Sequence, residues 1–191
     1  MIGGHFGMGA IVGKMSGMGD ALIEAVMSGN LMKLRQLVAD GANVNLTNRL
    51  GMTPLMVAAQ WNRPGIVSFL LSNGADVQAQ EHSSGCNALM FACLSGNPEV
   101  VRLVLKHGAP VNSTNFNGRT ALMTAAFCGI TKVVRMLLQH GADIDAEDRF
   151  GATALIQASM AGRVEVVHLL EAKRAEKAQN AANPMKQRNL L

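Results

Sequence analysis

The chain has 191 residues, 49% of them hydrophobic, 16% charged and 4% aromatic, with no tyrosine. That length suits one domain of ordinary size, and so aliphatic and alanine-rich a core favours packed helices over a sandwich. The net charge of +4 lies at the ends: outside Lys14 and the five basic and two acidic residues of 171–191, 11 basic groups face 11 acidic ones, which weakens a nucleic-acid reading based on charge.

No run reaches the roughly 20 apolar residues of a membrane span, and residues 9–12 are too short for a secretory core. Cys86, Cys93 and Cys128 stand 7 and 35 residues apart, match no zinc pattern and cannot all pair, so they read as reduced, mostly buried residues of a cytoplasmic or nuclear protein. No cofactor or metal is expected.

The chain begins with a glycine- and methionine-rich leader, residues 1–17, whose "GMGAIVGKMSGMGD" (7–20) invites a phosphate-loop reading. The loop fails on chemistry. Met8 stands where the first glycine belongs and Met15 where the magnesium-binding hydroxyl belongs, and Val12 breaks the dinucleotide pattern. A nucleotide-handling enzyme centred on Lys14 is carried as an alternative, and a flexible lead-in is the expectation.

From Asp20 the sequence repeats itself. "DALIEAVMSGN" is a degenerate first copy of "GMTPLMVAAQ" (Gly51), "GCNALMFACL" (Gly85), "GRTALMTAAF" (Gly118) and "GATALIQASM" (Gly151), at offsets of 34, 33 and 33. A second marker, "GANV", "GADV", "GAPV" and "GADI", starts at Gly41, Gly74, Gly108 and Gly141. A fixed period of this size is the mark of a repeat solenoid.

Each copy encodes two helices. Leu122, Ala125 and Ala126 set small apolar groups at helical spacing, and Gly29, Gly96, Gly129 and Gly162 end that helix, with Asn62 as the residue most tolerant of a left-handed turn. Asn97 and Pro98 then read as the N-cap and first residue of a second helix, "VVRLVL", matched by "VVRMLL" and "VVHLL" in later copies. Leu55, Leu89, Leu122 and Leu155 should occupy equivalent interior places. The last copy lacks the glycine stop, so its second helix should continue through 171–182 as an exposed C-terminal cap, before a tail at 183–191. The fold predicted is an all-α repeat solenoid.

The period and the "TPLM" (53–56) and "TALM" (120–123) signatures resemble the ankyrin repeat, over about residues 18–175. The copies fall at about 18–50, 51–84, 85–117, 118–150 and 151–182. The motif's histidine is absent, replaced by Met56, Met90, Met123 and Ile156, which implies thioether packing in place of the family's polar network. Glu24 in the first copy replaces the apolar Val57 and Phe91, as an end repeat facing water requires.

The resemblance implies a non-catalytic scaffold that binds a partner protein through the concave helix face and the turn tips. Carried over copy by copy, the helix positions offer Met27, Trp61, Leu94, Phe127 and Met160; the tips offer Arg49, Leu50, Phe116, Arg119, Arg149 and Phe150. Packing of the helix set into gaps between copies is the competing expectation. The extra residue within "QEHSSG" (80–85) lengthens one tip. His107 and His140 repeat at roughly 8–10 Å, too far apart for one zinc, and read as caps of helix C-termini. Nucleic-acid association through the basic C-terminal extension is the second alternative.

Overall fold

The computed structural model describes residues 17–182. Ten helices follow one another: α1 (Met18–Met27), α2 (Leu31–Ala39), α3 (Pro54–Gln60), α4 (Pro64–Ser72), α5 (Ala88–Ser95), α6 (Pro98–Lys106), α7 (Ala121–Cys128), α8 (Thr131–Gln139), α9 (Ala154–Met160) and α10 (Val164–Ala182). The odd-numbered helices stack side by side in an inner row; each even-numbered helix packs behind its partner. Among the described residues no strand forms, and Gln80 and Asn87 make an isolated antiparallel bridge.

Short inner helices need strong starts. Thr53, Asn87, Thr120 and Thr153 each accept the backbone N–H three residues on, at 3.0–3.4 Å, which satisfies an otherwise orphaned donor. In α3 and α7 the cap is reciprocal: the N–H of Thr53 points to Met56 Sδ and that of Thr120 to Met123 Sδ, both at 3.4 Å. The methionines that replace the family histidine thus pack in the core and also return a weak polar contact, so the interior is held by more than thioether packing.

Alanine permits the close stacking. Ala25, Ala58, Ala92, Ala125 and Ala158 are all fully buried along the inner row. Leu55, Leu89 and Leu122 are equally enclosed, whereas Leu155 is half-buried. Its place in the copy is the same, but no described helix stacks beyond α9. Ile156 shows the same effect, 42% exposed where Met123 is 1% exposed.

The helix stops are as expected. Gly29, Gly96, Gly129 and Gly162 adopt left-handed backbone, and Asn62 does so at φ 54°, the single non-glycine case among the described residues. Asn97 caps α6 through Glu99 N–H at 2.8 Å, with Pro98 in the first turn. In α1, the first described helix, Glu24 is exposed and meets Lys33 at 3.5 Å. Of the cysteines, all unpaired, only Cys93 is buried; Cys86 and Cys128 are half-buried, short of the mostly buried set expected. Residues 1–16 of the leader, with Lys14 and its phosphate-loop alternative, and the tail lie outside the described residues.

Candidate functional site

The turn tips are built on one side chain per copy. Asn48 Oδ1 accepts from Leu50 and Met52, Asn115 Oδ1 from Asn117 and Arg119, and Asp148 Oδ1 from Phe150 and Ala152, all at 2.9–3.1 Å. The second tip carries the extra residue, and Glu81 spans it with a longer arm. Its carboxylate accepts the N–H groups of Ser83 (2.6 Å), Ser84 (2.7 Å) and Cys86 (3.1 Å) and both serine hydroxyls. Burial would push this carboxyl up, but those donors outweigh it and hold it down at about 2. Burial opposes ionisation of Asp148 too, and is overcome by the N–H groups of Ala152 and Phe150 and by Arg119, leaving its carboxyl lowered.

Successive tips are joined through the main chain. His82 N–H donates to Leu50 C=O (2.9 Å), Phe116 N–H to Ser84 C=O (2.8 Å) and Arg149 N–H to Asn117 C=O (2.9 Å). The fingers therefore form a braced ladder, and braced fingers hold their exposed side chains in fixed register.

The inner-row residues expected to offer apolar surface do so. Met27 (41%), Trp61 (42%), Leu94 (54%), Phe127 (48%) and Met160 (77%) are exposed, so none of them is wholly packed away between copies. Four of the five share one position per helix; Trp61 sits one residue later, beside Gln60. At the tips Arg49, Leu50, Arg149 and Phe150 are exposed. Phe116 is 48% exposed because one face of its ring lies on Gly85, where an added Cβ would stand 2.5 Å from it. Arg119 is also partly committed, approaching Asp148 at 3.6 Å and Gln157 at 3.3 Å.

That Arg119–Gln157 contact fixes how the two sets lie. Gln157 is buried one turn before Met160 on α9, so Arg119 brings its tip against the start of the helix whose end carries Met160. The far edge of the apolar row is bordered by arginines at the inter-helix turns. Arg163 lies over Gly129 and donates to Phe127 C=O at 3.0 Å, and Arg63 lies over Gly29 and reaches Met27 C=O at 3.5 Å, its Nε buried and unpartnered.

His107 and His140 each donate Nδ1–H to a carbonyl one turn back, Leu103 at 2.9 Å and Met136 at 2.8 Å, the capping role expected of them. Among the described residues no group of three or more His, Cys, Asp or Glu gathers as metal ligands. Among the described residues of the basic extension, Arg174 meets Asp145 at 2.9 Å, Lys177 meets Asp145 at 2.8 Å and Asp143 at 3.6 Å, and Lys173 meets Glu176 at 2.6 Å. Asp145 holds the position at which Asn45 and Asn112 bridge to the next turn. With no further turn beside it among the described residues, it binds the helix extension.

Sequence reasoning did not find the ladder, Glu81 as a tip brace, or the two arginine lids. The Asx residue three before each tip glycine was the readable sign of the braces; Glu81 was hidden by the shift in register that the extra residue causes.

Comparison with known proteins agrees with this architecture. The family model described as ankyrin repeats (3 copies) matches residues 11–81, 79–148 and 113–181. The chain belongs to the ankyrin repeat family. It is 47% identical over 100 residues to ankyrin repeat and SAM domain-containing protein 6 of Rattus norvegicus, covering 52% of this chain and 11% of that protein. It is 47% identical over 97 residues to the Mus musculus protein of the same name, covering 50% and 11%. Ankyrin repeat and KH domain-containing protein mask-1 of Caenorhabditis elegans is 33% identical over 89 residues, covering 47% of this chain and 3% of that protein. The chain thus spans a small part of the length of these relatives.

Proposed function

We propose that this chain is a non-catalytic scaffold that docks a partner protein on its concave helix face and turn tips. Ankyrin stacks are in general protein-interaction modules, and a solenoid offers one continuous surface to a partner. The observation that carries the reading is the row of Met27, Leu94, Phe127 and Met160, exposed at one helix position in the first, third, fourth and fifth copies, with Trp61 exposed one residue off that position in the second. An ordered apolar row with charged edges has the anatomy of an interface, and a tryptophan within it suits an anchor. A reducing compartment, cytoplasm or nucleus, suits its unpaired thiols.

Affinity capture from a native extract, intact chain against Trp61→Ala/Phe127→Ala, tests the proposal. A double mutant that melts normally and loses the captured proteins supports it. Unchanged capture by a normally melting double mutant refutes it.

A further inference from the structure

The body of the chain is neutral, yet its charges are not evenly spread. At the tips and at the turn within each copy, the exposed charged side chains are Arg49, Arg119 and Arg149 along one edge of the apolar row and Arg163, with the half-buried Arg63, along the other, against Glu147; the exposed Asp40, Asp76, Asp143 and Asp145 lie in the turns that lead from one copy to the next. The two other tip carboxylates, Glu81 and Asp148, are buried and consumed by hydrogen bonds. Arg49 and Arg149 have no carboxylate within salt-bridge distance among the described residues, and Arg63 and Arg163 hydrogen-bond only to backbone oxygen. Of the remaining acids, Glu24 stands one turn before Met27 on α1 and meets Lys33 at 3.5 Å; the others lie away from the row, several paired with cations as in Glu99–Arg102 and Asp145–Lys177.

A narrow apolar stripe with arginine on both sides has a specific complement. An extended strand turns its side chains alternately to two opposite faces and leaves its edges to the main chain, so it cannot place carboxylates on both flanks of an apolar line. A helix can. Its apolar stripe is bordered on each side by further side chains, and two turns advance about 11 Å, close to the roughly 8–10 Å between packed helices that sets the spacing of the row. Resting on the inner-face reading above, we infer that the docked element is an acidic amphipathic helix, with one large apolar residue about every two turns and glutamate or aspartate on both flanks. Bidentate arginine–carboxylate pairs supply orientation and fast association, while the apolar row supplies the anchor.

The test uses the full chain and three labelled probes read by fluorescence anisotropy. The first is a helical peptide of three heptads with leucine once per heptad and glutamate on both flanks. The second has lysine for glutamate, and the third is a single-stranded oligouridylate. The inference expects saturable binding of the glutamate peptide, weakened roughly tenfold or more by Arg49→Glu/Arg149→Glu and by added salt, with the lysine peptide at least about tenfold weaker. Equal or tighter binding of the lysine peptide overturns it, as does glutamate-peptide binding that the arginine reversals leave untouched. Failure of the glutamate peptide to bind at all, or binding of oligouridylate in its place, overturns it as well. If the lysine peptide binds and Trp61→Ala/Phe127→Ala abolishes that binding, the protein-docking role stands and only the acidic partner is wrong. Unchanged melting of the arginine double mutant shows that a lost signal is not lost fold.

Discussion

The ring of Phe116 lies on the backbone of Gly85: a methyl group built there would stand 2.5 Å from Cδ1, and the φ of Gly85 is 74°. One finger rests on the next through a residue that has no side chain. Gly85→Ala therefore suffers twice, by collision and by left-handed backbone, whereas Gly74→Ala, at φ 80° with nothing within 4 Å, suffers only the second. Urea midpoints should place Gly74→Ala roughly 1 kcal/mol below the parent and Gly85→Ala clearly lower still. Equal losses would mean that the fingers are not in contact.

Acid should unravel the second finger. The Glu81 carboxyl ordinarily titrates near 4.5 and is held at about 2 in the fold, so the unfolded chain binds its proton first. The stabilisation is complete above about 4.5 and is lost as pH falls toward 2. The lowered carboxyl of Asp148 acts in the same direction. Glu81→Gln should lower the denaturation midpoint at neutral pH and flatten its fall on acidification, because an amide offers one acceptor atom to five donors. A pH slope identical to the parent's would contradict the brace.

Leu122→Ala removes a side chain that is 1% exposed between two copies, while Ile156→Ala trims one that is 42% exposed at the open end. Chemical denaturation should show a loss of roughly 2–5 kcal/mol for the first and less than about 1 kcal/mol for the second.

The C-terminal extension is held by exposed ion pairs, which are individually weak. Asp145→Asn should change global stability by less than about 1 kcal/mol yet raise amide exchange selectively across the end of α10, near Arg174 and Lys177. High salt should do the same to the parent. If exchange there is indifferent to both, the extension is not fastened through Asp145.

The helices and their order were readable because one short pattern recurs: an N-cap, alanines at helical spacing, then a glycine. The exposed apolar row was readable too, since Met27, Leu94, Phe127 and Met160 stand where neighbouring positions in the pattern are small. The contacts between copies were not. Whether Arg163 covers Gly129, or Phe116 lies on Gly85, depends on how one repeat is set against the next, and no spacing within a single copy reports that. The ends misled for a related reason: Leu155 follows the pattern of Leu122, but burial is granted by a neighbour rather than by the residue itself.

The most direct test of the account uses its one tryptophan. Trp61 is 42% exposed and belongs to the proposed docking row, so acrylamide should quench it readily in the folded chain, and saturating partner, or the glutamate-flanked helix, should suppress that quenching and shift its emission to the blue. A tryptophan already shielded in the free chain, or one whose quenching is unaltered when a partner binds, would contradict an inner face left open for docking.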